Sequence, residues 1–323
     1  MAMGAAMQGE LEPLTVGRAL GAWTLDVPVL IGVLVVGAVY LLGVRRVVRR
    51  GGSWPVWRTA VFFVAGLGSV VVLTMSCLGT YDRVLFWPYA VQNVLLLALT
   101  PVLLAFGGPM QLITLNFPSV GSGRLLRVLT FPAVSSLLGA ALLPLVYFTP
   151  YYLAVLQNDV LHELLRLQLV LVGCLFFWPM MGGESLPEWC TPPVRVAIGF
   201  LDGLLDALPG ILIMTSPGVL AAGYYLSVRH GWGPTPHQDQ RFGGGIMLTL
   251  AEMVGLPFLA GQLVSWVRAD RAEAAVVDRR LDQVVAERVA AGEREPELMR
   301  PWWETEPGQL ADRFRAQRDN PDE

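Results

Sequence analysis

The sequence contains no lysine: all 23 basic residues are arginine, a bias of genome composition that we give no functional weight. Charge of either sign is scarce, at 15% of 323 residues, against about 25% in an ordinary soluble domain. That scarcity excludes a single soluble globule. Cysteine is also rare. Cys77, Cys174 and Cys190 are scattered and form no CxxC motif, so neither a disulfide framework nor a thiol-based metal or redox site is written into the spacing. The net charge of −3 leaves no basic surface of the kind that nucleic acid requires. No nucleophile and base pair, zinc signature or phosphate loop is present, so an enzyme is not expected. The first 26 residues hold one basic residue, Arg18, and no early apolar run, so a cleaved leader is not expected.

What the chain has in abundance is apolar residues, 54% of the total. The charges it does carry are unevenly spread. Residues 1–268 hold 14 Arg and 12 acids, and residues 269–323 hold 9 Arg and 14 acids. This divides the chain into an extracytoplasmic N-terminal segment (1–26), a membrane domain (27–268) and a charged cytoplasmic tail (269–323). Within the tail, Val277, Leu281, Val284, Val285 and Val289 recur at helical spacing, which predicts an amphipathic helix over 269–291. Beyond it, Pro296, Pro301 and Pro307 predict disorder, with Trp302 and Trp303 as a membrane-surface or recognition element.

About 20 apolar residues cross a bilayer as a helix, and seven stretches qualify: 27–47, 57–78, 86–106, 130–151, 159–180, 194–216 and 242–267. Helices are expected because lipid offers no partner to backbone polar groups. The fold class is therefore all-α, a seven-helix transmembrane bundle whose first partner is the lipid bilayer. Arg45, Arg46, Arg49, Arg50 and Arg58 crowd the first connection and assign it to the cytoplasm. Alternation then puts the N-terminus outside, Arg124, Arg127, Arg268 and Arg271 inside, and only Arg18, Arg83, Arg229 and Arg241 outside. A multi-pass plasma-membrane protein, N-out and C-in, is the expectation.

Ionisable residues inside spans are costly and carry a functional hypothesis by default. His162 and Arg166 are four apart on the fifth span, with Glu163 adjacent; Asp202 and Asp206 are four apart on the sixth; Glu252 is on the seventh. At about 1.5 Å per residue, Arg166 and Asp206 fall at a similar depth and are expected to form a register-fixing ion pair. The same count puts Asp202 and Glu252 near the midplane as candidates for a shared proton. Tyr89, Gln92 and Asn93 on the third span are expected to bond to a neighbouring helix or to face His162.

The N-out orientation puts His162, His230 and His237 on one side, at the level of Met75, Cys77, Met214 and Met247. Thioether, thiol and imidazole together suit Cu(I). Core packing and loop hydrogen bonding explain these residues more readily, since no paired ligand spacing is present.

Three segments carry a family resemblance. YAVQNVLLLALTPVLLAFGGPMQL (Tyr89–Leu112), LHELLRLQLVLVGCLFFWP (Leu161–Pro179) and DQRFGGGIM (Asp239–Met247) resemble the HxxQH helix, the HxxxH helix and the DQ element of the CtaG-like cytochrome c oxidase assembly factors, over about 81–266. The resemblance implies a seven-span protein of bacterial respiratory-chain biogenesis. His162, Gln92, Asp239, Gln240 and Met247 match family positions, whereas Tyr89, Asn93 and Arg166 stand where the family pattern has histidine. If the family's histidines handle copper, this divergent member is expected to do so poorly or not at all. The leading expectation is a non-catalytic protein that holds an oxidase subunit or presents copper on the outer face. The alternative is a proton or ion pathway through Asp202, Asp206, Arg166 and Glu252.

Overall fold

The structure is a computed structural model that describes residues 12–117, 131–182, 189–228 and 231–290; every regular element among them is helical. It divides into two units, Met1–Leu263 and Val264–Glu323. A short helix, α1 (Val16–Gly21), precedes α2 (Val27–Arg49). Two apolar helical stretches follow, α3 (Val56–Tyr81) and α4 (Phe86–Phe106). The chain continues through α5 (Pro109–Asn116), α6 (Pro132–Tyr147), α7 (Pro150–Gln157), α8 (Asp159–Gly182), α9 (Pro192–Thr215), α10 (Ala222–Ser227) and α11 (Pro236–Ala290).

Among the described residues six helices, α2, α3, α4, α8, α9 and α11, are long and apolar enough to cross a membrane. The fourth expected span is not one helix: α6 and α7 are bent by 72°, and only if they are counted together does the number reach seven. The bend has a local cause. Thr149 is extended and its side chain accepts from Tyr151 N, while Pro150 opens α7. A proline cannot donate to the preceding turn, and it pushes the residue before it out of the helical region.

The first unit is arranged around α4, 67% of whose apolar window is buried, compared with 11% for α2. Tyr89, Val94, Leu97, Tyr147, Leu165 and Ile213 belong to the central cluster. On α2, Ile31, Leu34, Val35, Val39 and Leu42 are exposed. Such a face is compatible with lipid, whose tails are as apolar as leucine.

Close approaches are made with glycine. Pro101 lacks the N–H that would reach back to the Leu97 carbonyl, and α8 packs Gly173 against that carbonyl so closely that a Cβ would sit 2.0 Å from its oxygen. The widened turns at Leu95–Leu99 lie just before this proline. Gly210 on α9 and Gly244 on α11 meet reciprocally, a Cβ on either falling 2.8 Å from the other's oxygen. Small residues at helix crossings are how membrane helices gain packing.

In the second unit α11 is helical to Ala290, and Val277, Leu281, Val284 and Val289 are exposed. Residues 291–323, with Trp302 and Trp303, lie outside the described residues, as do Arg124, Arg127, Arg229 and His230.

Candidate functional site

The densest polar cluster forms where α2 begins, α3 ends and α8 begins. Arg166, on the second turn of α8, is 7% exposed. Its Nη1 lies 2.6 Å from Asp26 Oδ2 and 2.8 Å from Glu163 Oε1, and its Nη2 lies 2.8 Å from Asp82 Oδ2. Nε donates to Gln92 Oε1 at 3.3 Å. One guanidinium thus gathers three carboxylates and an amide. Each partner is held by its own element. Asp26 is the N-cap of α2 and accepts from Val29 N at 3.2 Å, Gln92 donates to Leu73 O at 2.8 Å, and Asp82 sits in the turn between α3 and α4.

His162, one turn before Arg166, places Nε2 3.0 Å from the same Asp82 oxygen. Burial alone would push the Asp82 carboxyl up, but the charge and hydrogen bond of His162, with the charges of Arg166 and Arg83, outweigh it and hold the group below the ordinary carboxylate range. Arg83 is itself paired with Asp159. The cluster borders a cavity of about 460 Å³ whose lining includes Asp26, Asp82, Arg83, His162, Glu163 and Arg166.

Behind the ions lies a buried aromatic layer. The rings of Tyr89 and His162 are 5.9 Å apart, Asn93 Nδ2 donates to Tyr147 Oη at 3.0 Å, and the hydroxyls of Tyr152 and Tyr225 are 2.7 Å apart. Tyr89 of α4 therefore meets His162 of α8 and Gln92 meets Arg166, whereas Asn93 bonds to Tyr147 of α6.

The expected ion pair between Arg166 and Asp206 does not form. Arg166 turns toward the end of α8 and is satisfied there by Asp26, Asp82 and Glu163. Long basic side chains reach for the nearest membrane boundary, and equal depth on two helices says nothing about which faces they present. Asp206 instead has the carboxylates of Asp202 and Glu252 as the charges that bear on it. Asp202, 6% exposed, accepts from Ser136 Oγ on α6.

The DQ element has structural work. Asp239 accepts from Phe86 N at 2.6 Å and Trp87 N at 3.1 Å, capping α4 from another helix. Gln240 accepts from Leu220 N at 2.7 Å and donates to Ile213 O and Gly218 O.

The candidate copper ligands are dispersed by comparison. His162 Nε2 is committed to Asp82, Cys77 packs against Tyr81, Val84 and Leu85, Met247 sits in the central cluster, Met75 is buried at the end of an α3 segment, and half-buried His237 is in the first turn of α11. Among the described residues no group of three His, Cys, Asp or Glu is placed to hold a metal ion.

Reasoning from sequence missed Asp26 and Asp82, which it left in connections. A signal was present: between Val27 and Asn158 the chain has a single acid, Asp82, and a lone acid beside a span end is a natural partner for a lone arginine within one.

An all-helical bundle with buried ion pairs at the end of its spans defines a polytopic integral membrane protein. The chain belongs to the cytochrome c oxidase caa3 assembly factor family, whose model matches residues 38–269. Uncharacterized proteins of Mycobacterium bovis and Mycobacterium tuberculosis are each 30% identical over 291 residues, covering 85% of this chain and 44% of theirs. One of Mycobacterium leprae is 26% identical over the same length. The chain thus spans less than half the length of these relatives. No solved structure matches it.

Proposed function

We propose that this protein supports cytochrome c oxidase biogenesis as a non-catalytic scaffold in the bacterial plasma membrane, holding an oxidase subunit rather than relaying copper. The observation that carries this reading is the closure of the Arg166 network. His162 and Arg166, at two family motif positions, are bound to Asp82, Asp26 and Glu163. Such a set fixes the ends of α2, α3 and α8 relative to one another and leaves a rigid rim for a partner. The arginines of the α2–α3 connection support placing that rim on the outer face.

Deleting the encoding gene and measuring assembled oxidase in membranes tests the proposal: oxidase falls, and is restored by the intact chain but not by Arg166→Met. Normal oxidase in the deletion strain overturns it. Copper is tested separately by titrating Cu(I) into purified protein and into His162→Ala, His237→Ala and Cys77→Ser. Scaffolding expects no stoichiometric uptake that depends on these residues, whereas uptake lost in the variants restores the copper-delivery reading.

A second reading, proton or ion movement, is favoured by one observation. On α9 and α11 the carboxylates of Asp202 and Glu252 are the charges that bear on Asp206, and none of the three is in an ion pair among the described residues. Flux in liposomes that collapses on Glu252→Gln supports it, and absence of flux in the unmutated protein removes it.

A further inference from the structure

The end of the molecule where α2 finishes and α3 begins carries a concentration of arginines that have no ion-paired acid among the described residues. Arg45, Arg46 and Arg49 are exposed on the last turns of α2, Arg50 is exposed just past its end, and Arg58 lies on the first turn of α3. Asp82, the single acid between Val27 and Asn158, is beyond the far end of α3. None of the five arginines is in an ion pair among the described residues.

Two of the five are held in place. The Arg58 guanidinium lies 5.5 Å from the Trp54 ring centre and 5.7 Å from that of Trp57, and it donates to Gln111 Oε1 on α5. Arg46 lies 5.3 Å from the ring centre of Phe117, just past the end of α5. Trp54 is in turn anchored, donating to Tyr40 Oη at 3.3 Å, and Tyr40 donates to Gly107 O at 2.8 Å. Stacking of this kind orients a guanidinium while leaving N–H edges for an anion.

The apolar setting selects among anions. Leu42, Val48, Val56, Trp57 and Phe117 are exposed beside the arginines. Paired forks of N–H donors suit a phosphate, while exposed Val, Leu and aromatic surface around them suits acyl chains and no water-soluble phosphate. We propose that this end of α2, α3 and α5 binds an anionic phospholipid, with Arg46 and Arg58 on the headgroup phosphate, Arg45, Arg49 and Arg50 adding attraction, and Trp57 and Phe117 against the upper acyl chain. This holds whichever leaflet the end faces, and does not depend on the oxidase reading.

The test uses the full chain in phosphatidylcholine nanodiscs containing a minor fraction of phosphatidylglycerol, with protein-retained lipid counted by mass spectrometry. Phosphatidylglycerol is expected to be enriched over its bulk fraction, and each arginine removed should lower the enrichment about fivefold. Arg46→Gln/Arg58→Gln therefore loses most of it, and Arg279→Gln/Arg280→Gln in the second unit loses none. Should the first variant fail to fold, Arg49→Gln/Arg50→Gln decides, because those side chains are exposed and in no ion pair among the described residues. Enrichment that survives both variants, or that falls equally with the control, overturns the proposal. So does displacement by excess inorganic phosphate, which would make this a simple anion site.

Discussion

Arg166 and His162 converge on a single carboxylate oxygen, Asp82 Oδ2, at 2.8 and 3.0 Å. With Asp82 ionised beside Arg166, the His162 Nε2 proton points at that oxygen and the ring adds a donor without requiring charge. Removing one member of a buried ion pair costs about 3–5 kcal/mol, because the survivor is left desolvated. Asp82→Ala should therefore lower stability by about that much, and Asp82→Asn by less, since its amide oxygen still accepts. Thermal unfolding in detergent micelles measures both. A double variant, Asp82→Leu/Arg166→Met, should be more stable than either single change. If the single losses simply add, the two residues are not coupled.

The same carboxylate gives the protein an acid limit. The folded pKa of Asp82 is held below its ordinary value, which is about 3.9 in an unfolded chain. The unfolded state therefore takes up the proton first as pH falls. The Asp82 contribution is fully present above about pH 4 and is lost as pH drops through the depressed folded value. The difference in unfolding midpoint between the parent and Asp82→Asn should stay constant from neutral pH to about 5 and shrink below about 4. A difference that instead grows toward acid would show that Asp82 is not held ionised.

Asp239 should act as a cap supplied from another helix. Its two oxygens satisfy Phe86 N and Trp87 N at the start of α4, and each buried N–H left bare costs about 1–3 kcal/mol. Asp239→Ala should lower stability by about 2–6 kcal/mol, and Asp239→Asn, with one oxygen kept, by about half. Hydrogen exchange would localise the effect: the first-turn amides of α4 should lose protection before those of α8.

Much of the bundle was readable because a bilayer imposes one rule on every span. Apolar runs of the right length become helices, and five of the seven expected boundaries fall within a few residues of observed helix ends. The fourth expected span is interrupted at Phe148–Thr149–Pro150, which hydropathy does not reveal because the apolar run continues across the break; proline at the first turn of α7 ends α6 without any change in polarity. The last helix starts earlier and ends later than its apolar core, at Pro236 and Ala290, because helical periodicity does not stop where lipid does. Proximity was partly legible: Tyr89 lies beside His162 and Gln92 bonds Arg166, while Asn93 turns to Tyr147 instead. Pairing was not. Depth along a helix follows from counting, but the direction of Arg166 depends on helix rotation and on side-chain reach, so it found Asp26 and Asp82 at the end of the bundle rather than Asp206 across it.

Gly173 tests whether the α4–α8 contact organises the bundle. An added methyl would sit 2.0 Å from Leu97 O and 2.5 Å from Pro101 Cγ, and neither neighbour can yield, one being backbone and the other a ring that sets the local turn. Overpacking of a tight interior costs about 1–3 kcal/mol; with backbone as the obstacle the upper part of that range is expected for Gly173→Ala. Gly203 on α9 has nothing within 4 Å of the same hypothetical methyl. There alanine removes only the backbone freedom of glycine, so Gly203→Ala should hold or raise stability by up to about 1 kcal/mol. Unfolding of the two variants in the same detergent gives opposite signs if close packing at Gly173 is what joins α8 to α4. If Gly173→Ala is as stable as the parent, the helices have separated without loss, and the Arg166 cluster rather than the glycine contact holds them together.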